Sequence, residues 1–307
     1  MSLINCKGKF LNRWIAVDWG TSFFRAYLIE NDFVSDKIET NDGMKFLQQK
    51  EFENKFINLI QKWLVKNQKI EVLASGMLGA RQGWMEAPYE TTPCNLNNLN
   101  YVSPLINDNR LSLKIFSGVS QYNPPDVMRG EETQVAGFFN KNKNFRGSIC
   151  LPGTHSKWLK VKNNFIEKFK TYMTGELFQV ISENTVLLHS LNSEKIEKNE
   201  FLKSANKIFQ NPENLTNALF QIRADDLINS MGPVIYKSRL SGYLLGIELL
   251  GVKDFWENCN VTLIGSKKVM DLYENLLEDK VLSLKKFSAE EMVLQGLKSF
   301  RKNLMKS

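Results

Sequence analysis

The sequence predicts an α/β protein made of two similar domains, and three observations carry this prediction. Apolar runs of strand length alternate with stretches of helical periodicity. One arrangement (strand, small polar turn, strand, tight turn, strand) starts near residue 14 and again near residue 148. The 307 residues suit two domains of ~150 residues each. Because solenoid repeats span only ~20–50 residues, this repeat indicates a duplicated domain. We therefore expect domains at residues 12–142 and 146–307.

The first copy opens with WIAVD, residues 14–18, which is almost wholly apolar, as a strand buried on both faces requires. Strands are predicted at residues 14–18, 23–29 and 33–40, with turns between them at 20–22 and 30–32. A helix at 46–65 and a strand at 70–74 follow. A loop at 75–84, a strand at 113–117 and a helix at 130–140 complete the first domain.

The second copy repeats this layout with little sequence identity. Its strands and turns are predicted at residues 148–151, 152–156, 157–161, 163–164 and 165–171. The chain is then mostly helical to residue 258. Strands at 261–264 and 281–287 and a terminal helix from Ala289 follow.

Composition excludes several classes of protein. Hydrophobic residues make up 43% of the chain and charged residues 24%, as in an ordinary globular protein. The 40 Lys and Arg exceed the 33 Asp and Glu, but they are spread along the chain without interleaved aromatics, so we expect no nucleic-acid partner. A small phosphorylated or carboxylated substrate would be enough to account for the excess of positive charge.

Cysteine spacing and apolar runs bear on location. The 4 cysteines form no C-x-x-C pair, which disfavours a disulfide framework or a zinc site. The N-terminal residues lack the apolar core of a signal peptide, and no apolar run approaches the ~20 residues of a membrane span. We expect a cytoplasmic protein with no membrane partner. The P-loop, G-x-G-x-x-G, H-E-x-x-H and G-x-S-x-G motifs are also absent from the sequence.

Asp18 ends the first predicted strand and is followed by a small polar turn, Gly20-Thr21-Ser22. A buried carboxylate needs a partner, and a hydrated Mg²⁺ is a natural one because it takes only one or two carboxylates. The glycine and hydroxyls offer donors to an anion, and Arg25 adds a cation suited to phosphate. A turn-capping role for Asp18 is equally open on this loop alone.

A second donor-rich turn occupies the matching position of the second copy. It contains Gly153, Thr154, His155, Ser156 and Lys157. Two such turns at equivalent places of a duplicated fold predict a pair of hairpins that grip a polyphosphate. Taken singly, Lys157 and His155 are more typical of a solvated strand and a loop.

Seven segments, in order along the chain, resemble one family. They are AVDWGTSFFRAYL (16–28), ASGMLGARQGWMEAPY (74–89), VMRGEETQVAG (127–137), LPGTHSKW (151–158), TYMTGEL (171–177), SGYLLGIE (241–248) and VTLIGS (261–266). The chain resembles the 2-dehydro-3-deoxygalactonokinases of the actin and hexokinase superfamily. The resemblance implies duplicated ribonuclease H-like domains around an interdomain nucleotide cleft. It also implies transfer of the γ-phosphoryl group of ATP, with Mg²⁺, to the 6-hydroxyl of 2-dehydro-3-deoxy-D-galactonate.

The resemblance also implies roles for individual residues. Asp18 would hold the metal, the two hairpins would bind phosphates, and Gly265 and Ser266 would lie at the adenosine end. Pro152 stands where many superfamily members have a carboxylate, which gives Asp18 more weight. Glu132, with Glu131 as the alternate, would be the base, although glutamates in a first helical turn ordinarily act as caps.

The sugar acid requires a cation and several small donors. The candidates are Gly76, Met77, Arg81, Gln82, Trp84, Arg129, Thr174 and Glu176. For Arg81 the alternative is a surface ion pair, for Trp84 core packing, and for residues 174–176 a hinge.

Other functions on this fold stay open at this point. A related sugar or sugar-acid kinase with another acceptor, or a hydrolase that uses water, would keep the same hairpins. A nucleotide-gated actin-like or regulatory protein would bind ATP without transferring phosphate. The sequence leaves a homodimer open.

Overall fold

The computed structural model describes residues 12–306. The N-terminal segment, in which we expected no leader, lies outside these residues. One compact unit comprises residues 12–145, 162–168 and 289–306, and the other comprises residues 146–161 and 169–288. The predicted domain boundaries, 12–142 and 146–307, stay a proposal. They assign the terminal helix to the second domain, whereas the structure groups residues 289–306 with the first unit.

Strands and helices alternate along the described chain. The strands are β1 Arg13–Trp19, β2 Phe24–Glu30, β3 Phe33–Thr40, β4 Ile70–Gly76, β5 Tyr89–Thr91, β6 Cys94–Asn95, β7 Tyr101–Val102, β8 Leu111–Phe116, β9 Gly118–Tyr122, β10 Pro125–Met128, β11 Arg146–Leu151, β12 Ser156–Lys162, β13 Phe165–Tyr172, β14 Asn260–Gly265 and β15 Ser283–Ser288. The helices are α1 Phe52–Ile60, α2 Glu131–Lys141, α3 Thr174–Asn184, α4 Lys198–Gln210, α5 Leu215–Asn229, α6 Pro233–Gly251, α7 Lys253–Trp256, α8 Lys267–Leu277 and α9 Ala289–Leu304.

The main sheet of the first unit has the strand order β3-β2-β1-β4-β8-β7. Strands β1, β2 and β3 pair antiparallel as consecutive hairpins, whereas β1, β4 and β8 pair parallel. Residues 14–17 of β1 are fully buried, as its apolar run predicts. A small sheet of order β10-β9-β5 was not predicted.

The sheet of the second unit repeats this order with the equivalent strands, β15-β14-β11-β12-β13. Its β11, β14 and β15 are again parallel. The turn from β2 to β3 and the turn from β12 to β13 have the same conformation: Asn31 and Asn163 have φ 51°, and Asp32 and Asn164 have φ 69°. Such paired left-handed residues make the two-residue turn that suits the twist of a hairpin. The predicted duplicated α/β fold is confirmed.

Aromatic side chains fill the core of the first unit. Trp19 packs edge-on against Phe24 and Phe52, and Phe56 is also fully buried there. Helix α9 lies so close to α2 that a β-carbon on Gly296 would come within 2.0 Å of the Thr133 carbonyl oxygen. This backbone contact ties the terminal helix to the first unit.

The helix predicted over 46–65 is shorter in the structure. Only Phe52–Ile60 is α-helical, and single 3₁₀ turns flank it at Gln49–Glu51 and Gln61–Trp63. The Glu51 carboxylate accepts a hydrogen bond from the Gln48 N–H at 2.7 Å, which closes the N-terminal end. Separately, none of the helices within residues 12–306 combines the length and apolar character that crossing a membrane would require.

Candidate active site

The first hairpin, between β1 and β2, is held by the chain that follows β3. The Gly20 carbonyl accepts a hydrogen bond from Met44 N–H and the Thr21 carbonyl one from Lys45 N–H, each at 3.1 Å. In a trans peptide the next N–H points opposite to the carbonyl. The N–H groups of Thr21 and Ser22 therefore point away from this support, and both residues are exposed.

Asp18 lies at the base of this hairpin with 23% of its side chain exposed. Burial raises the pKa of its carboxyl to about 6, although Arg25 lowers it, and the charges of Glu131 and Glu290 raise it further. The Arg25 guanidinium lies 3.6 Å from Asp18 and 2.8 Å from Glu39. Arg25, predicted to contact phosphate, is thus paired with two carboxylates.

Two glycines form the surface beside Asp18. Gly76, at the end of β4, has φ +98°, and a β-carbon there would lie 3.4 Å from Asp18 Oδ1 and 2.8 Å from the Trp19 carbonyl oxygen. Gly130, which precedes α2, has φ +107°, and its β-carbon would lie 3.3 Å from the Gly76 Cα. Side chains at these positions would fill the space next to the carboxylate and strain the backbone.

Glu131 and Glu132 both fold back over the start of α2. The Arg129 N–H donates to Glu131 Oε2 at 3.0 Å, and the Gly130 N–H donates to Glu132. Glu132 is only 1% exposed, whereas Glu131 is partly exposed. Burial, assisted by the Glu131 charge, raises the pKa of Glu132 to about 8.

Sequence reasoning missed Glu290, in the first turn of α9. Its carboxylate accepts a hydrogen bond from Lys37 Nζ at 2.7 Å. Burial raises the pKa values of Asp18 and Tyr27, and the charge of Glu290 raises both further. The only signal in the sequence is an acid at a helix N-terminus, which is ordinary.

The loop after β4 divides between surface and core. The Arg81 side chain is 82% exposed and lies 3.5 Å from Glu86. Gln82 is also exposed, whereas Met77 is partly buried. Trp84 is 7% exposed and contacts the rings of Phe52 and Phe56. Their assignment to the sugar acid stays a prediction.

Arg129 is a buried cation, 8% exposed. Its guanidinium stacks 4.2 Å from the Tyr89 ring centroid, and Nη2 donates to the Ala87 carbonyl at 2.7 Å. Among the residues that the structure describes, its buried Nε and Nη1 have no hydrogen-bond partner. Such groups are costly to leave unpaired.

The second hairpin, between β11 and β12, belongs to the second unit and packs against the start of α3. The Thr154 carbonyl accepts a hydrogen bond from Glu176 N–H at 2.9 Å, and His155 pairs with the Glu176 carboxylate at 2.5 Å. A β-carbon on Gly175 would come within 2.3 Å of the Gly153 carbonyl oxygen. Of the predicted candidates in this segment, Glu176 thus contacts the hairpin, as does its neighbour Gly175.

Residues 153–157 differ in exposure. Gly153, Thr154 and His155 are exposed, but Ser156 and Lys157 are 1% and 6% exposed. The Lys157 ammonium donates to Thr171 Oγ1 at 2.9 Å.

A cavity of about 360 Å³ within the second unit begins at this hairpin. Apolar side chains make most of its wall, and hydroxyl and charged groups lie among them. It is lined by Gly153, Ser156, Thr174, Gly175, Phe178, Glu194, Ile196, Lys237, Ser241, Leu244, Leu245, Lys268, Val269, Leu272 and Tyr273. The predicted adenosine-end residues directly precede α8 in sequence, and α8 contributes Lys268, Val269, Leu272 and Tyr273 to the cavity wall. Gly265 is buried, and Ser266 is the exposed N-cap of α8.

Comparison with known proteins identifies the family. A family model described as 2-keto-3-deoxy-galactonokinase matches residues 18–300. The chain belongs to this family. It is 33% identical over 291 residues to "Probable 2-dehydro-3-deoxygalactonokinase DgoK1" of Rhizobium meliloti (strain 1021), covering 92% of this chain and 95% of the relative. It is 27% identical over 269 residues to the 2-dehydro-3-deoxygalactonokinase of Escherichia coli (strain K12), covering 87% of this chain and 89% of the relative.

Solved structures agree with this family. A crystal structure of a Sinorhizobium meliloti protein assigned as a 2-dehydro-3-deoxygalactonokinase superposes with a TM-score of 0.87 at 32% identity, covering 95% of this chain and 99% of that one. Component A of the Acidaminococcus fermentans (R)-2-hydroxyglutaryl-CoA dehydratase superposes with a TM-score of 0.52 at 10% identity, covering 95% of this chain and 99% of that one. The second likeness shows the fold alone. The predicted actin/hexokinase-type fold and the predicted family are confirmed.

Proposed function

We propose that this galactonokinase-family chain transfers the γ-phosphoryl group of ATP to the 6-hydroxyl of 2-dehydro-3-deoxy-D-galactonate. The products are ADP and 2-dehydro-3-deoxy-6-phospho-D-galactonate. Membership of a kinase family implies the use of ATP and a small sugar acid. The observation that carries the proposal is the cluster of Asp18, Gly76 and Gly130, which three of the family-like segments bring together. The comparisons do not favour a non-catalytic regulator.

The hairpins supply the phosphate contacts in this proposal. In the first, the N–H groups of the exposed residues Thr21 and Ser22 point away from the supporting chain, and Gly20 has no side chain that could cover them. In the second, the Thr154 carbonyl faces α3, so the His155 N–H points away from that helix. Backbone donors of this kind bind phosphate oxygens.

Asp18 fits a magnesium site. Its carboxylate is mostly buried and sits next to space that two glycines keep open. Within residues 12–306 no three His, Cys, Asp or Glu side chains come together to hold a metal ion, so a bound ion would keep most of its waters, as Mg²⁺ does. When bound, Mg²⁺ would neutralise charge on the phosphoryl oxygens.

Glu131 is the better placed of the two candidate bases. It is partly exposed and close enough to Asp18 to raise that residue's pKa, whereas Glu132 is buried. Glu131 would accept the proton of the 6-hydroxyl while the oxygen of that hydroxyl forms a bond to the γ-phosphorus. The bond from that phosphorus to the bridging oxygen breaks, and ADP leaves.

The remaining candidates bind the two ends of the substrates. The apolar wall of the 360 Å³ cavity suits the adenine ring, with Gly265 and Ser266 at its edge. Arg129 would supply a cation for the carboxylate of the sugar acid, once binding of the acid makes its buried guanidinium accessible. A cytoplasmic location and a homodimer stay predictions.

A coupled assay of ADP release tests the proposal. Wild-type protein, ATP and Mg²⁺ are incubated with a panel of 2-keto-3-deoxy acids that differ in one hydroxyl configuration or lack the 6-hydroxyl. ADP release that requires the galactonate-series acid and its 6-hydroxyl supports the proposal. Release that is equal without any acid indicates a hydrolase, and preference for another acid changes the acceptor.

A further inference from the structure

Glu248, on α6, is a fully buried carboxylate that the proposed reaction does not use. Its Oε1 accepts hydrogen bonds from Trp158 Nε1 at 2.8 Å and from the Tyr273 hydroxyl at 2.9 Å. Its Oε2 accepts one from the Thr174 hydroxyl. Burial raises the pKa of Glu248, while these donors oppose the rise. A buried carboxylate is tolerated only with such a set of donors.

Counting protons shows where the hydroxyls point. Tyr273 has one hydroxyl proton, which it donates to Glu248. Ser156 Oγ lies 2.9 Å from the Tyr273 oxygen and also interacts with Glu248, so its proton points inward to one of these acceptors. Thr174 likewise donates to Glu248. With Glu248 ionised, neither Ser156 nor Thr174 has a proton left to donate into the cavity.

These partners belong to the elements that bound the 360 Å³ cavity. Ser156 opens β12 at the second hairpin, Thr174 opens α3, and Tyr273 lies on α8; all three line the cavity. Helix α3 also supports the hairpin through the Glu176 N–H. One carboxylate therefore fixes the hairpin, the helix that supports it and the helix beside the proposed adenine site.

We propose, on the basis of the proposed function, that Glu248 is a positioning residue for the nucleotide. It holds Ser156, Thr174 and Tyr273 in place, and so fixes the backbone donors of the second hairpin against the cavity. Ser156 and Thr174 serve as inner supports of the site, and the backbone N–H groups of the hairpin contact the phosphates.

The Glu248→Gln variant tests this proposal. Gln keeps the shape of the side chain but replaces one acceptor oxygen with a donor, so one inward-pointing hydroxyl must turn away. We expect the dissociation constant of ADP with Mg²⁺, measured by calorimetry, and the KM for ATP to rise about tenfold. The KM for the sugar acid should change less than about twofold.

Two further variants separate positioning from general stability. Glu200→Gln makes the same chemical change on α4, where Glu200 pairs with Arg239 of α6, and it should leave ADP affinity unchanged. Tyr273→Phe removes the link to Ser156 and should also weaken ADP binding. Because both act through one network, the Glu248→Gln/Tyr273→Phe pair should lose less ADP affinity than the sum of the single losses.

The outcomes separate this proposal from the proposed function. Wild-type ADP affinity in a folded Glu248→Gln variant overturns it. If that variant does not fold, wild-type ADP affinity in Tyr273→Phe overturns it instead, as does strict additivity in the pair. ADP binding needs no sugar acid. Loss of ADP affinity in Glu248→Gln therefore supports positioning even if wild-type protein phosphorylates none of the acids.

Discussion

The backbone N–H of Gly130 donates hydrogen bonds to both carboxylate oxygens of Glu132, at 2.9 Å and 2.7 Å. The Thr133 hydroxyl donates to the same carboxylate at 3.1 Å. Glu132 therefore caps the start of α2, the role ordinarily expected of a glutamate in a first helical turn. Its neighbour Glu131 accepts the Arg129 N–H and remains partly exposed. The capping by Glu132 and the proposed catalytic role of Glu131 can therefore be tested separately.

Glu131→Gln should lower kcat about 10²–10⁴-fold, because a base acts in the transition state. ADP affinity, measured by calorimetry, should stay close to that of the wild type. Glu132→Gln is the matched comparison and should lower kcat much less. The opposite ranking would assign the base to Glu132, the residue that the family resemblance favoured.

Glu132 should make stability depend on pH. Its pKa is raised from 4.5 to about 8. Between these pH values the folded protein therefore keeps a proton on Glu132 that the unfolded chain has released. The stabilisation is complete below about pH 4.5 and is lost as pH rises towards 8. The free energy of unfolding should thus fall by a few kcal/mol over this range. In Glu132→Gln that fall should be smaller, as urea titrations at several pH values would show; parallel curves would contradict the raised pKa.

Local pattern predicted the hairpins well. The apolar run of β1 and the polar residues at 31–32 and 163–164 mark strand and turn without knowledge of distant contacts. Repetition of the pattern then predicts the duplicated sheet, because the same local signals recur in the same order.

Long-range contacts account for what the sequence did not reveal. Glu290 lies near Asp18 because α9 packs against the first unit, including helix α2. Glu248 lies in an apolar helical run, and only the folded structure shows the donors around it. Trp84 and Phe52 stack in the core although they lie in different segments, and no helix or strand periodicity relates their positions. Periodicity describes one element at a time and does not encode these pairings.

Asp18→Asn should abolish turnover, with kcat at least about 100-fold lower, because an amide is a poor ligand for Mg²⁺. The fold should persist, since Arg25 keeps its pair with Glu39 and a buried charge is removed. Circular dichroism and thermal unfolding check the fold, and the coupled assay checks turnover across Mg²⁺ concentrations. Near-normal kcat would remove Asp18 from the site.

Gly175→Ala should weaken ADP binding about tenfold or more, because its methyl group would come within 2.3 Å of the Gly153 carbonyl oxygen. Helix α3 and the second hairpin would have to move apart. Gly153→Ala is the matched comparison, since a β-carbon there meets nothing within 4 Å, and it should cost far less affinity. Equal losses in calorimetry would show that the contact does not matter.

Arg129→Lys and Arg81→Ala together identify the cation that binds the sugar-acid carboxylate. Lysine retains the charge of Arg129 but lacks the Nε and Nη1 donors that have no partner within the described chain. Its KM for the acid should rise about tenfold, with the KM for ATP little changed. Because the Arg81 side chain is 82% exposed, its removal should raise the acid KM less than the Arg129 substitution does. A larger rise in Arg81→Ala would reverse the assignment, and a rise in the ATP KM alone would place neither cation at the acid.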